Sequence, residues 1–223
     1  KNPPPEPWTI QPSHPELIEE LASWFRDSGH DLRLLMRTIV RSKAYQLSSR
    51  VEGEYDSAHD RYYARKLVRR LAAEEIHDAL CSATNVFGHG IKYCYQLSRP
   101  PQSEPLRSFL NAFGQSSRAE KQAETSVSTV QAALMMNSDV VKQKISTKTK
   151  GSLVHSLIQP PKEGARKRRN YEIVEDLYLA TLSRYPNDDE MVAAVSHIRE
   201  HGEKGVEDVQ WALVNKLEFI INY

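Results

Sequence analysis

Apolar residues recur at spacings of three and four along nearly the whole chain, and no stretch sustains the alternation of two that a half-buried strand needs. That pattern confines the fold to packed amphipathic helices. With 223 residues, 39% of them hydrophobic and 26% charged, the chain sits between one large domain and two small ones and can close a core without disulfides or metal. The expectation is an all-α fold, an irregular multi-helix bundle of about seven to nine helices joined by short turns.

Helix signals place the elements. Ser13-His14-Pro15-Glu16 reads as a capping box opening a helix with Leu17, Leu21, Trp24 and Phe25 on one side, ending near Gly29. Asp31 caps a second helix, in which Leu32, Leu35, Met36, Ile39 and Val40 form the stripe expected to be buried, with Arg33, Arg37 and Arg41 outside. The two form an expected antiparallel hairpin. After a polar surface connection over 51–60, a helix spans about Ala72 to Thr84 with Ile76, Ala79, Leu80 and Ala83 inward, and Pro100-Pro101 bars a helix through the stretch from Gly88 to Pro105. A short helix from Leu106 to Phe113 stops at Gly114. The next begins near Ser126 or Ser128 and carries Val130, Ala133, Leu134, Val140, Val141 and Ile145. Three helices close the chain: Ile173, Leu177, Tyr178 and Thr181 face inward in the first, Asn187 with Glu190 caps the second, and Val206, Val209, Leu213, Leu217 and Ile220 stripe the last.

The expected organisation is a proline-rich lead-in over 1–13, a helical part over 14–147, a mobile basic linker over 148–170 and a three-helix part over 171–223 that packs on the same core, giving a single domain overall. The linker reading rests on Pro160-Pro161, Gly164 and the run Arg166-Lys167-Arg168-Arg169.

A formal charge of +1, from 30 Lys and Arg against 29 Asp and Glu, removes the global electrostatic argument for nucleic acid. Binding through Arg166 to Arg169 and the Arg33/Arg37/Arg41 stripe ranks last among the readings. No window approaches the roughly eighteen apolar residues of a membrane span, and the start is polar and proline-rich, unlike a leader. Cys81 and Cys94 stand alone, with no CxxC or CxxCH, so neither structural zinc nor covalent haem is expected within this chain. The sequence contains no GxSxG, P-loop or GxGxxG motif.

Glu74, His77 and Asp78 fall within about one helical turn, a spacing that suits metal binding or proton transfer and equally suits an ordinary solvated helix face. Arg69 and Arg70 can clamp a carboxylate, a sulfate or sugar hydroxyls, or pair with Glu74 and Glu75 and cap nearby carbonyls. Arg107 and Arg118 bracket Phe113-Gly114 with the same two readings. His197 and His201, four apart, fit either a metal or the terminal carbonyls of their helix.

Several blocks together resemble a known family. His14-Pro15-Glu16-Leu17 with Trp24-Phe25, the run Leu35 to Arg50, Arg69-Arg70-Leu71 with Ala73 to Leu80, and Phe109-Leu110 through Phe113-Gly114 to Arg118 are similar to the planctomycete-specific C-terminal (PSD-type) domain of unknown function. So are Ser128 to Asn137, Leu177 to Pro186 and Trp211 to Asn222. The resemblance implies the C-terminal part of a larger exported bacterial protein, located outside the cytoplasm beside companion domains, in organisms rich in polysaccharide-degrading genes. Any haem then belongs to a cytochrome-like companion, with no cofactor in this chain. Many relatives carry a cysteine-rich stretch after the Phe-Gly-x-x-x-Arg block; Ala119 to Thr125 here contain none.

Two readings follow. In the first, the chain is a helical interaction or scaffolding module that docks on companion domains or a polysaccharide. In the second, it is part of a carbohydrate-active oxidoreductase or hydrolase, with Arg70, Glu74, His77, Asp78, Arg107 and Arg118 in a polar pocket completed by the upstream domain.

Overall fold

A computed structural model describes residues 12, 14–50, 53–54, 56, 62, 64–87, 104–114, 129–160 and 166–222. The chain divides into two compact units, Lys1–Val68 with Tyr223 and Arg69–Asn222.

In the first unit, α1 (Pro15–Asp27) starts from N-cap His14 with Pro15 at the first helical position, where a missing N–H costs nothing. Ser13, the head of the expected capping box, lies outside the described residues, and His14 makes no side-chain cap bond. The end of α1 is a Schellman turn: the His30 N–H donates to the Phe25 carbonyl and the Gly29 N–H to that of Arg26, both at 3.0 Å. Gly29 sits at φ 74°, where a side chain would be strained. The His30 ring lies edge-on to Phe25, centroids 5.3 Å apart. Asp31 then caps α2 (Leu32–Arg41), its Oδ1 accepting from the Leu34 N–H at 3.0 Å.

The stripe expected to be buried on α2 is open. Leu32, Met36, Ile39 and Val40 are all exposed, Met36 by 59%. Nor do α1 and α2 run along each other as a packed antiparallel pair. An amphipathic pattern shows that a helix has an apolar face and does not say what lies against it.

The second unit is closed on itself. β1 (Arg69–Arg70) pairs antiparallel with β2 (Ile221–Asn222), Arg69 opposite Asn222 and Arg70 opposite Ile221, and the Leu71 N–H continues the ladder to the Ile220 carbonyl at 2.9 Å. Between them run α3 (Ala73–Thr84), α4 (Glu104–Ala112), α5 (Thr129–Asn137), α6 (Asp139–Lys144), α7 (Leu153–Ile158), α8 (Asn170–Leu182), α9 (Asp188–His201), α10 (Glu203–Val214) and α11 (Leu217–Ile220). Helices α8, α9 and α10 pack on one another and α3 packs on α8. Ile76, Leu80, Phe109, Leu110, Val141, Val174, Leu177 and Leu213 fill the core between the elements.

The all-α expectation holds, with more helices among the described residues than the periodicity suggests. Ser138 breaks the run expected over 126–145, capping α6 with its hydroxyl on the Val141 N–H. Asn215 and Lys216 end α10, so Leu217 begins a separate turn and is exposed rather than part of the core stripe. The third addition, α7, lies inside the stretch read as a linker. Its Val154 and Leu157 are buried and Ser152 caps it. Leu153, Val154, Leu157 and Ile158 give it an apolar face, but six residues are too short a window for that pattern to announce a helix.

Three helices open on one device. A glutamate in the first turn accepts from the N–H of the cap residue and also grips both Nη atoms of the arginine three residues before that cap. The sets are Arg69/Ala72/Glu75, Arg166/Arg169/Glu172 and Arg184/Asn187/Glu190. Each arginine also donates to the carbonyl of the residue following it. Such bidentate guanidinium pairs are the stronger kind of ion pair. Arg184 further donates to Glu218 from Nε at 2.6 Å and Nη2 at 2.9 Å, while Lys216 reaches Glu190, tying the start of α9 to α11. The basic run is likewise engaged: Arg166 holds Glu172, and Arg168 donates to the Ser156 carbonyl and lies 3.6 Å from Asp176.

Arg184 holds the Glu190 carboxyl far below the ordinary carboxylate range, with Lys216 and the Asn187 N–H adding to it against burial. A depressed folded value means stability present above the ordinary pKa of 4.5 and lost as pH falls below it. Arg184→Met is expected to cost about 2 kcal/mol at pH 7 and to flatten the acid limb of stability, both measured by urea unfolding. Gly205 permits the α9–α10 approach: a Cβ there would stand 2.8 Å from Ile198 Cα and 2.9 Å from the His197 carbonyl oxygen. Gly205→Ala is expected to lower stability by about 1–3 kcal/mol, read as a drop in Tm.

Candidate functional site

On α3 the buried face comprises Ala73, Ile76, His77, Leu80, Cys81, Ala83 and Thr84. This face therefore carries an imidazole and a thiol, four residues apart, into an otherwise apolar interior. The His77 Nδ1 lies 3.2 Å from Asp78 Oδ1. The Cys81 Sγ lies 3.7 Å and 3.6 Å from the two ring nitrogens. From the last residue of α6, next to buried Ile145, Lys144 extends its Nζ to 3.3 Å from that sulfur and donates to the Val86 carbonyl at 2.6 Å. Exposure is 5% for His77, 0% for Cys81 and 7% for Lys144. Among the described residues no carboxylate pairs with Lys144.

Burial pushes the His77 imidazole down, and the Lys144 charge adds to that shift against the hydrogen bond to Asp78. Burial pushes the Cys81 thiol up, and Lys144 opposes it. The cluster at neutral pH thus combines a neutral imidazole, a protonated thiol and a lysine head, set close enough for protons to pass between them. No group of three or more potential metal ligands occurs among the described residues.

Of the other expected site residues, Arg70 and Arg107 have partners elsewhere. Arg70 donates from Nη1 to Gln131 Oε1 at 2.7 Å and from Nη2 to the Phe113 carbonyl at 3.3 Å, and Gln131 donates to the Ala112 carbonyl at 3.0 Å. Its guanidinium and that glutamine satisfy carbonyls left over at the end of α4. Glu74 sits half-buried in the first turn of α3. Arg107 is exposed, 3.8 Å from Glu104. Arg118 lies outside the described residues. A separate apolar hollow of about 190 Å³ is lined by Phe113, Met135, Met136, Val214, Leu217 and Ile220, with Gln131 and Asn215 at hand, and by none of the expected site residues. His201 faces a carbonyl of its own helix, donating to that of His197 at 3.1 Å, whereas the His197 Nε2 faces Asp208 at 3.2 Å.

Cys81 and Lys144 were not foreseen as site residues. The available signal was Cys81 four residues after His77, together with a lysine three residues beyond Val141 and next to Ile145.

Residues 8–198 match PSD1, a protein family of unknown function (DUF1553). The chain belongs to that family. No curated protein and no solved structure matches it. In this PSD1 chain, then, the His77–Cys81–Lys144 cluster has to be interpreted from its own geometry.

Because the folded imidazole of His77 is depressed, the unfolded chain takes up its proton first, and stability falls as pH drops below the ordinary value of 6.5. Lys144→Met removes the neighbouring charge. It is expected to raise the His77 titration midpoint, followed by NMR of the ring, and to make the loss of stability between pH 7 and 5 shallower.

Proposed function

We propose that this PSD1 chain is an interaction module that docks on a companion domain of its parent polypeptide, and that α2 is the docking element. The observation that carries this reading is the open apolar face of α2, where Leu32, Met36, Ile39 and Val40 are exposed on a well-capped helix. Apolar surface left in water is costly, and a row of it along one helix is the form that helix-in-groove recognition takes. Arg33, Arg37 and Arg41 flank the row and supply a polar rim. The exported setting, the cytochrome-like neighbours and the polysaccharide context implied by the resemblance are part of the same proposal: a non-catalytic part of a larger extracytoplasmic assembly, holding its neighbours in place.

The alternative, a polar pocket for a carbohydrate built from Arg70, Glu74, His77, Asp78, Arg107 and Arg118, has less behind it. Arg70 is committed to Gln131 and the Phe113 carbonyl, and Arg107 stands in solvent.

Titration calorimetry against the separately produced remainder of the parent polypeptide tests the docking reading. Binding with a negative heat-capacity change is expected. The double substitution Met36→Glu with Ile39→Glu is expected to weaken it at least about tenfold, equivalent to about 1.4 kcal/mol, with little change in Tm because both positions are exposed. Unchanged affinity in the double variant would remove α2 from the interface.

A further inference from the structure

We propose that Cys81 and Lys144 form a covalent sulfur–nitrogen cross-link when hydrogen peroxide reaches the buried cluster, which makes this pair an oxidation-sensitive staple between α3 and α6. The two reacting atoms already lie 3.3 Å apart, the separation of a near-attack arrangement. A proton acceptor is in place, since both His77 ring nitrogens lie within 3.7 Å of the sulfur and Asp78 orients the ring. Lys144 has the Val86 carbonyl as its other anchor, so its nitrogen is held against the sulfur rather than swinging free.

The chemistry balances with peroxide as the oxidant. The Cys81 sulfur attacks one peroxide oxygen and the O–O bond breaks. The thiol proton passes by way of His77 to the departing hydroxide, which leaves as water, and the sulfur, oxidised by two electrons, carries the hydroxyl of a sulfenic acid. The Lys144 amine, its ammonium proton passed to His77, then attacks that sulfur. The S–N bond forms, the S–O bond breaks, and a second water departs. One peroxide is consumed, two waters are released, and the protein loses two hydrogens.

Burial decides which product forms. An exposed sulfenic acid meets a second peroxide and proceeds to sulfinic acid. Here the sulfur is fully shielded and the amine is its neighbour, so condensation runs ahead of further oxidation. The same burial slows the first step, because the thiol is held in its protonated form. The expected behaviour is therefore slow and selective. Cys81 and Lys144 are 63 positions apart in sequence, so the bond would close a long loop and restrict the unfolded chain.

The test uses the full chain carrying Cys94→Ser, so that no disulfide can imitate the mass change, treated with millimolar hydrogen peroxide. The expected result is an intact mass lower by two hydrogens, a proteolytic fragment joining the Cys81 and Lys144 peptides, a raised Tm, and reversal of all three by dithiothreitol. In Lys144→Arg, which keeps the positive charge but presents a poor nucleophile, Cys81 should instead gain two oxygens. Treatment in urea should yield no joined peptide. The proposal is overturned if folded protein with lysine intact accumulates one or two oxygens on Cys81, if Cys81 stays reduced throughout, or if the joined peptide forms equally in urea.

Discussion

The second unit depends on a carboxylate doing the work of a missing cap. The first-turn N–H groups of a helix have no partner inside it, and the N-cap residues of α3 and α8 are Ala72 and Arg169, neither of which makes a side-chain cap bond. Glu75 and Glu172 fold back to the cap N–H, and an arginine upstream neutralises and fixes each of them. At Glu190 the same arrangement extends further. Arg184 links that glutamate to Glu218 on α11, α11 runs directly into β2, and β2 pairs with the β1 strand that precedes α3. One guanidinium thereby joins the start of α9 to the seam at which the unit closes.

Against that rigid frame the cysteine cluster is an exception to ordinary core composition. Lysine is rarely buried this deeply without a carboxylate, and among the described residues its hydrogen-bond partners here are a thiol and a single carbonyl. Such an arrangement costs stability compared with an apolar filling of the same space. The apolar face of α2 shows the complementary anomaly, greasy surface in water rather than charge in the core. Each departs from the rule that sequence, packing and polarity agree, and each carries one of the two proposals.

Much of this architecture was legible from residue spacing. The all-helical class, the Asp31 and Asn187–Glu190 caps, the α3 core face and the inward side of α8 follow from periodicity and cap chemistry. What escaped did so for identifiable reasons. A serine that caps in mid-run, as Ser138 does, looks like any polar residue on a helix surface until its hydroxyl is seen on the backbone. The bridge between Arg69–Arg70 and Ile221–Asn222 joins segments too short to alternate. The basic run Arg166 to Arg169 resembles a solvated linker because composition cannot show that Glu172 and Asp176 lie within its reach. The site was only half visible: His77 and Asp78 were found on the helix that carries them, but their partner Lys144 comes from another helix, and pairing across elements is what a spacing rule cannot supply.

The ladder between β1 and β2 has a topological consequence. Because Arg69 lies opposite Asn222, the path of the backbone enters and leaves the second unit at the same point, as the two cut edges of a loop do. A unit built this way can be spliced into a turn of some other polypeptide without prying that host apart. Its two connections can even be joined to each other and the ring reopened elsewhere, with every helix left in place. The short strand pair thus makes the second unit portable.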